Sequence, residues 1–352
     1  MSTSASQPLR QPCDAAAPAL ELSIVVINFR TPGLVIDCLE SLLPELPAVD
    51  EHFSRARSTQ VVVVENGSGD DSAAVLERHI DANGWGERVR LCVSAANTGF
   101  SGGNNIGIRA VCARRYLLLN SDTIVRPGAL LALVRKLDAM PDIGLVGPKL
   151  EWPDGTVQTS TFRLHSPGSE VIRGARSGPV TRLLRRFDLP IEEPSRDDRP
   201  EWLSFACVMI RAEVFDRVGL LDEGFFLYYE DVEFCRRAIR AGFEISCCRE
   251  ARVVHLRGGS GEVKSDLAAR RRPPAYYYKS RSRYFRLAYG PFGLLLANLG
   301  WMLGHCFARL HEWTGRKRPH VCEREATDIW MNFRTPLAPH GYGGAPADER
   351  DA

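Results

Sequence analysis

Residues 225–233 read FFLYYEDVE, and the acid pair Glu230–Asp231 inside them is the first candidate for chemistry. Phe226, Leu227, Tyr228 and Tyr229 favour burial, and carboxylates set directly behind such a run are costly unless they are bonded, paired or used. The following VEFCRRAIRAG has helical periodicity, with Phe234, Ala238 and Ile239 on one side and Arg236, Arg237 and Arg240 on the other. The acids therefore sit at a helix start, behind an aromatic wall. A carboxylate held there can take a proton from a substrate hydroxyl. The same position also suits Asp231 as a simple helix cap.

Asp122 is the second candidate. It follows the apolar YLLL (116–119) and the pair Asn120-Ser121. A lone carboxylate at the end of a buried strand suits Mg²⁺ or Mn²⁺, which take oxygen ligands and keep waters and substrate phosphates. A cation bridging two phosphates stabilises a leaving diphosphate. Asn-Ser-Asp-Thr is equally good turn chemistry. The third candidate is His255, which the apolar ARVV delivers into a Gly-Gly-Ser segment. Imidazole suits Mn²⁺ better than Mg²⁺, while a lone histidine is also a common structural residue.

The elements that must position these groups are legible up to about residue 150. LSIVVINF (22–29), QVVVV (60–64), RLCV (90–93), YLLLN (116–120) and IGLVG (143–147) read as buried strands. Helical patterns separate them: LVIDCLESLL, a segment opened by Asp70-Asp71-Ser72, IGIRAVCAR and ALLALVRKLDAM. This alternation predicts an α/β fold with a three-layer, mostly parallel sheet. Ligands of such sheets lie outside the carboxyl ends of the strands. The residues there are polar: Asn28, Arg30 and Thr31; Glu65, Asn66 and Asp70; Asn97, Gly99, Gly103, Asn104 and Asn105; Asn120, Ser121 and Asp122. Acids at several strand ends point to a polar ligand with a cation.

The segment ANTGFSGGNNIG (96–107) could cradle a phosphate, because glycines permit close backbone approach and a helix N-terminus attracts negative charge. It is not GxGxxG after the first strand, and no GKS or GKT follows, which disfavours a dinucleotide or P-loop site. Asn104 and Asn105 could instead tie neighbouring loops together.

A chain of 352 residues, 44% hydrophobic and 25% charged, suits one large domain with an appendage. The net charge of +2 offers no global field for nucleic acid. Residues 173–186 and 270–286 are strongly basic, read as solvated surface or as a patch for phosphate or lipid headgroups. The ten cysteines form no CxxC pair, which fits buried thiols in a reducing compartment. Residues 1–20 lack a secretion signal and read as a disordered leader, and 336–352 as a flexible tail.

Taken together, SIVVINF, VVVVENGSGDDS, NTGFSGGNNIG, YLLLNSDT, GPKL, the block WLSFACVMIRAEVFDRVGLLDEGFFLYYEDVEFCRRA and ARVVH resemble glycosyltransferase family 2. Within it they are most similar to bacterial rhamnosyltransferase-like members that build surface polysaccharide. The resemblance runs from about Leu22 to Ser260. It implies a GT-A fold, a nucleoside-diphosphate sugar donor (dTDP- or UDP-linked), a divalent cation (Mg²⁺ or Mn²⁺) and inversion at the anomeric carbon. By position, it makes Asp231 the general base and Glu230 its neighbour holding the acceptor. Asp122 and His255 become the metal or diphosphate site. Asn28, Glu65, Asn66, Asp70, Asn97, Gly103, Asn104, Asn120 and Asp122 become the nucleotide-sugar contacts. Three positions depart from the family pattern. Glu65 stands where relatives carry Asp. Asn120-Ser121-Asp122 replaces Asp-x-Asp. Phe205 replaces a small Gly, where a large ring would reshape the sugar pocket.

The organisation expected is a catalytic domain over 21–275 and a helical region over 276–335. Residues 287–308 carry no Lys, Arg, Asp or Glu. Asn298, His305, Arg309 and Glu312 fall on one helical stripe, and Trp301 and Trp313 fit a headgroup boundary. The expectation is a helix lying in the interface of an anionic membrane, with packing against the catalytic domain as the alternative. That placement suits a glycan or polyprenyl-linked acceptor on the cytoplasmic face of a plasma membrane. Two other classes remain: a sugar-nucleotide pyrophosphorylase, disfavoured because NFRTPG follows the first strand, and a non-catalytic partner that keeps the fold.

Overall fold

The computed structural model describes residues 20–191, 199–256, 263–315 and 320–339. The expected leader, most of the tail and the Gly-Gly-Ser segment after His255 lie outside the described residues. The strands are β1 (Leu22–Asn28), β2 (Thr59–Glu65), β3 (Val89–Val93), β4 (Arg115–Asn120), β5 (Thr123–Val125), β6 (Ile143–Glu151), β7 (Thr161–Phe162), β8 (Trp202–Leu203), β9 (Cys207–Arg211) and β10 (Glu244–His255). The helices are α1 (Pro32–Leu42), α2 (Leu46–His52), α3 (Ser72–Ala82), α4 (Gly99–Ala110), α5 (Ala129–Ala139), α6 (Pro167–Ala175), α7 (Gly178–Leu183), α8 (Ala212–Val218), α9 (Glu230–Arg240), α10 (Val263–Ala269), α11 (Ala275–Tyr289), α12 (Gly293–Trp313) and α13 (Glu325–Asp328).

The large sheet has the order β3-β2-β1-β4-β9-β6-β10-β5. The first four strands in that order are parallel, as their continuous β-branched runs predict. Strand β9 enters antiparallel between β4 and β6, so β6 does not simply extend the parallel series. Period-two alternation assigns the core. Ile24, Val26, Val61, Val63, Leu117 and Leu119 face one layer, covered by α1, α3 and α5. Val25, Val62, Val64, Tyr116 and Leu118 face the other, covered by α4, α8 and α9.

Register aligns the edge that matters. Asn28 pairs with Glu65 and Ile27 with Asn120, so the ends of β1, β2 and β4 lie side by side. Two antiparallel steps through β9 return β6 and β10 to the direction of β4, which puts His255 on the same edge.

The apolar run at 287–308 is not one helix. It breaks at Gly290, and α11 and α12 meet at a bend of 117°. Among the described residues no single helix is long and apolar enough to cross a membrane. Asn298 is fully buried and accepts from Arg281 Nη1 at 2.8 Å, while His305 stacks on Trp301. The expected polar stripe is therefore turned largely inward. Phe225, Tyr229 and Val232 share a core cluster with Tyr284, Phe285, Leu294 and Ala297, so α11 and α12 pack behind the segment carrying Asp231.

The basic stretches are corrected too. Several of their arginines are internal partners: Arg281 binds Glu170 at 2.7 Å, Arg283 binds Asp222 at 2.8 Å and Arg272 binds Asp328 at 2.9 Å. Cys38, Cys207, Cys235, Cys248 and Cys322 are buried free thiols as expected, whereas Cys112 is disulfide-bonded.

Candidate active site

The carboxyl edge brings together two candidates from opposite ends of the catalytic region. Asp122 sits in the turn between β4 and β5, and His255 closes β10; β5 and β10 pair antiparallel with His255 opposite Thr123. The pairing sets Asp122 Oδ1 3.5 Å from His255 Nε2, with both side chains almost fully buried. Gln158 Nε2 donates to His255 O at 2.7 Å and Leu256 N to Asp122 O at 2.9 Å, which locks the pair. His255 Nδ1 is buried with no hydrogen-bond partner among the described residues. Two ligands at right angles on an octahedral ion with bonds of about 2.1 Å lie about 3 Å apart. The pair is therefore spaced to share one divalent cation with only modest adjustment. Among the described residues no group of three or more His, Cys, Asp and Glu side chains forms a complete metal cage. A cation here would draw its remaining ligands from substrate phosphates and water.

Glu230 and Asp231 open α9, whose N-cap Tyr229 is left-handed. Tyr228 and Tyr229 both hold positive φ, 70° and 69°, a backbone state that costs about 1–3 kcal/mol per residue unless its surroundings impose it. Those surroundings are rings: Tyr229 packs on His165, Tyr277 and Tyr284, and Tyr228 on Tyr277. Burial first, and the neighbouring Asp231 charge second, push the Glu230 carboxyl well above its usual range. Its Oε2 is buried, with no hydrogen-bond partner among the described residues. Asp231 is half-buried, and its Oδ1 accepts from Val232 N at 2.8 Å, so it does not cap the helix in the usual manner. The start of α9 belongs to the same edge of the sheet. Cys235 bonds Leu203, and Phe234 packs on Phe205, next to the amino end of β9. Phe226 O accepts from Phe100 N at 2.7 Å, which joins this segment to the start of α4.

Phe205 does not reshape a pocket. It is 2% exposed and its ring lies in the core against Phe234.

The nucleotide-side candidates gather where expected, but several are occupied in building the edge. Glu65 accepts from Ser68 N at 2.8 Å and Gly67 N at 3.2 Å. Asn28 bonds Ser68 Oγ and Thr31 N. Asn66 donates to Asn97 Oδ1 and Gly99 O and accepts from Thr98, and Asn97 also accepts from Gly99 N. Asn104 donates to Phe100 O within its own helix. Asn105 ties α4 to Leu221 and Glu223. Asn120 lies half-buried beside them, its N–H donating to Ala206 O at 2.9 Å. Asp70 is exposed and accepts from Ser72 N at the start of α3.

The glycine-rich segment is the first half of α4 rather than a loop before a helix. A Cβ on Gly103 would come within 3.0 Å of Ile27, and one on Gly107 within 2.3 Å of Val25. These glycines let α4 pack closely on β1. Ser68 and Gln158 are edge residues that sequence reasoning missed. Ser68 lies within VVVVENGSGDDS and Gln158 in no motif, and their roles arise from contacts across 38 and 97 positions.

The mixed α/β sheet with helices on both faces is that of the GT-A glycosyltransferases, and the chain is a nucleotide-sugar-dependent glycosyltransferase. Residues 18–283 match the model of "Glycosyltransferase like family 2", and the chain belongs to that family. It is 30% identical over 306 residues to the N-acetylglucosaminyl-diphospho-decaprenol L-rhamnosyltransferase of Mycobacterium tuberculosis, covering 80% of this chain and 89% of that one. It is 23% identical to rhamnosyltransferase WbbL of Escherichia coli over 231 residues, 62% of this chain and 78% of the relative. Among solved structures, GalNAc-T7 with UDP, GalNAc and Mn²⁺ superposes at a TM-score of 0.56 and 14% identity, covering 93% of this chain and 61% of that one. A Pyrobaculum calidifontis mannosyltransferase with GDP-Man and Mn²⁺ superposes at 0.50 and 13% identity, covering 91% and 86%.

Proposed function

We propose that this protein transfers a sugar, with rhamnose the first candidate, from a dTDP- or UDP-linked donor to a glycan or polyprenyl-linked acceptor, inverting the anomeric carbon. The observation that carries this reading is the 3.5 Å contact between Asp122 and His255 at the carboxyl edge of the sheet. The lipid-linked acceptor is drawn from the name of the mycobacterial relative.

Asp122 and His255 would hold Mg²⁺ or Mn²⁺, which when bound offsets the negative charge growing on the departing diphosphate. Asn28, Glu65, Asn66, Asp70, Asn97, Gly103, Asn104 and Asn120 would form or support the nucleotide-sugar edge. The acceptor hydroxyl oxygen forms a bond to the anomeric carbon from the face opposite the diphosphate. The bond from that carbon to the phosphate oxygen breaks, and the nucleoside diphosphate takes its electron pair. Asp231 accepts the hydroxyl proton, which becomes acidic only as the new bond forms. Glu230, whose carboxyl is pushed above its usual range, would hold the acceptor by a hydrogen bond. The reaction would take place at the cytoplasmic face of a membrane, where a polyprenyl-linked acceptor resides.

The test is a panel of nucleotide sugars assayed with Mn²⁺ and a polyprenyl-diphosphate-linked acceptor. Release of nucleoside diphosphate from one donor, dependent on acceptor and lost in Asp231→Asn, is expected. Release of inorganic diphosphate from a nucleotide triphosphate and sugar phosphate would overturn the reading.

A further inference from the structure

α12 turns an apolar ridge away from the protein. Phe292, Leu296, Leu299, Leu303, Leu310 and Trp313 recur at helical spacings of three, four and seven, and the helical positions among them lie on one face of a helix about 30 Å long. All are exposed, from 50% at Leu299 to 85% at Trp313. A continuous exposed apolar face of this kind marks an interaction surface rather than scattered surface residues.

The ridge cannot roll inward. On the opposite face, a Cβ on Gly304 would lie 2.2 Å from Val171 O of α6, so the two backbones are in direct contact. Trp301, Ala297 and Ala308 are buried on that side, and Asn298 is tied to Arg281. The helix is fixed, with its apolar side outward.

We infer that this ridge seats the protein on an anionic lipid bilayer. Aromatic side chains stand at both ends with aliphatic ones between, the arrangement of a helix lying in the plane of a membrane interface. Its exposed charge is basic: Arg309 is 67% exposed in its side chain, although it also pairs with Glu312 at 3.2 Å. On α7, which packs on α6, Leu183 is 84% exposed and follows the exposed Arg182. Arg185 and Arg186 come next and are exposed too. A basic residue beside an exposed apolar face favours anionic headgroups. The inference deepens the membrane placement proposed above by naming the face that makes contact, and its purpose rests on the lipid-linked acceptor.

The experiment is co-sedimentation of the full chain with phosphatidylglycerol vesicles, beside size-exclusion chromatography with light scattering. Wild type is expected to pellet with the vesicles. L299E/L303E, whose sites are exposed and so do not threaten folding, should lose at least about tenfold in bound fraction. Its diphosphate release with a water-soluble acceptor should be unchanged. Wild type remaining in the supernatant, or the variant pelleting equally well, would overturn the inference. So would a dimer in solution that the variant dissociates, because the ridge would then face a second copy. Vesicle binding is read without turnover, so failure here leaves the transferase reading untouched, and failure of donor turnover leaves the seating intact.

Discussion

His255 Nε2 stands 3.5 Å from Asp122 Oδ1, a contact between the last residue of β10 and the turn after β4, made possible because β5 folds back onto β10. Both side chains are buried, and the spacing suits a pair that shares one divalent cation. Asp122→Ala is expected to abolish the Mn²⁺ response and lower kcat/KM by about 10²-fold or more. His255→Gln should raise the Mn²⁺ concentration needed for half-maximal turnover. Diphosphate release across an Mn²⁺ titration checks both, and an unchanged titration in either variant excludes that residue as a ligand.

The acids of α9 should separate by role. Asp231→Asn is expected to lower kcat by about 10²–10⁴ with donor affinity unchanged. Burial first, and the Asp231 charge second, favour the neutral form of Glu230, and Glu230→Gln is neutral at every pH. An acid whose folded pKa is raised withdraws stability as pH rises. Glu230→Gln should therefore be at least as stable as wild type, with its advantage growing above pH 4.5, the ordinary value for Glu. Denaturation curves taken at several pH values test this, and a variant destabilised equally at all of them would make Glu230 a packing residue only.

Acid sensitivity should come in two stages. Burial pushes the His165 imidazole from 6.5 down to about 4. Burial alone would raise Glu170, but the charges of Arg173 and Arg281 outweigh it and hold its carboxyl at about 2 rather than 4.5. Both folded values lie below the unfolded ones, so each contributes stability that is complete above the unfolded value and lost as pH falls. The His165 window runs from about 6.5 to about 4, with a span of about 3 kcal/mol, and the Glu170 window from about 4.5 to about 2. His165→Phe keeps the ring between Trp202, Tyr229 and Tyr284 and should flatten the upper window alone. Urea midpoints between pH 7 and pH 4 that fall equally in variant and wild type would refute this.

Arg281 and Glu170 form an ion pair with both side chains essentially without exposure. Removing one partner strands the other charge, so Arg281→Met should cost about 3–5 kcal/mol. Adding Glu170→Gln should recover part of that loss, because Arg173 retains Glu325. Urea unfolding of the single and double variants provides the measurement; a double variant that sums the two losses would mean the pair is not coupled.

Much of this protein was legible without a structure because its signals are local. The β-branched runs of β1, β2 and β4 are long enough to declare buried parallel strands. Polar residues clustered just past those runs marked the strand ends that register brings side by side. Other features depended on contacts between distant segments. The tertiary structure decided that β9 would enter antiparallel, because Cys207–Arg211 is too short a run to state its neighbours. It decided that Gly103 and Gly107 serve packing on β1, since a glycine's purpose is set by what approaches it. It placed Phe205 in the core and turned the polar stripe of α12 inward, because burial of Asn298 depends on Arg281 seventeen residues earlier. Composition and periodicity dictate which residues leave water. Only the packing of one segment on another dictates which polar atoms they meet.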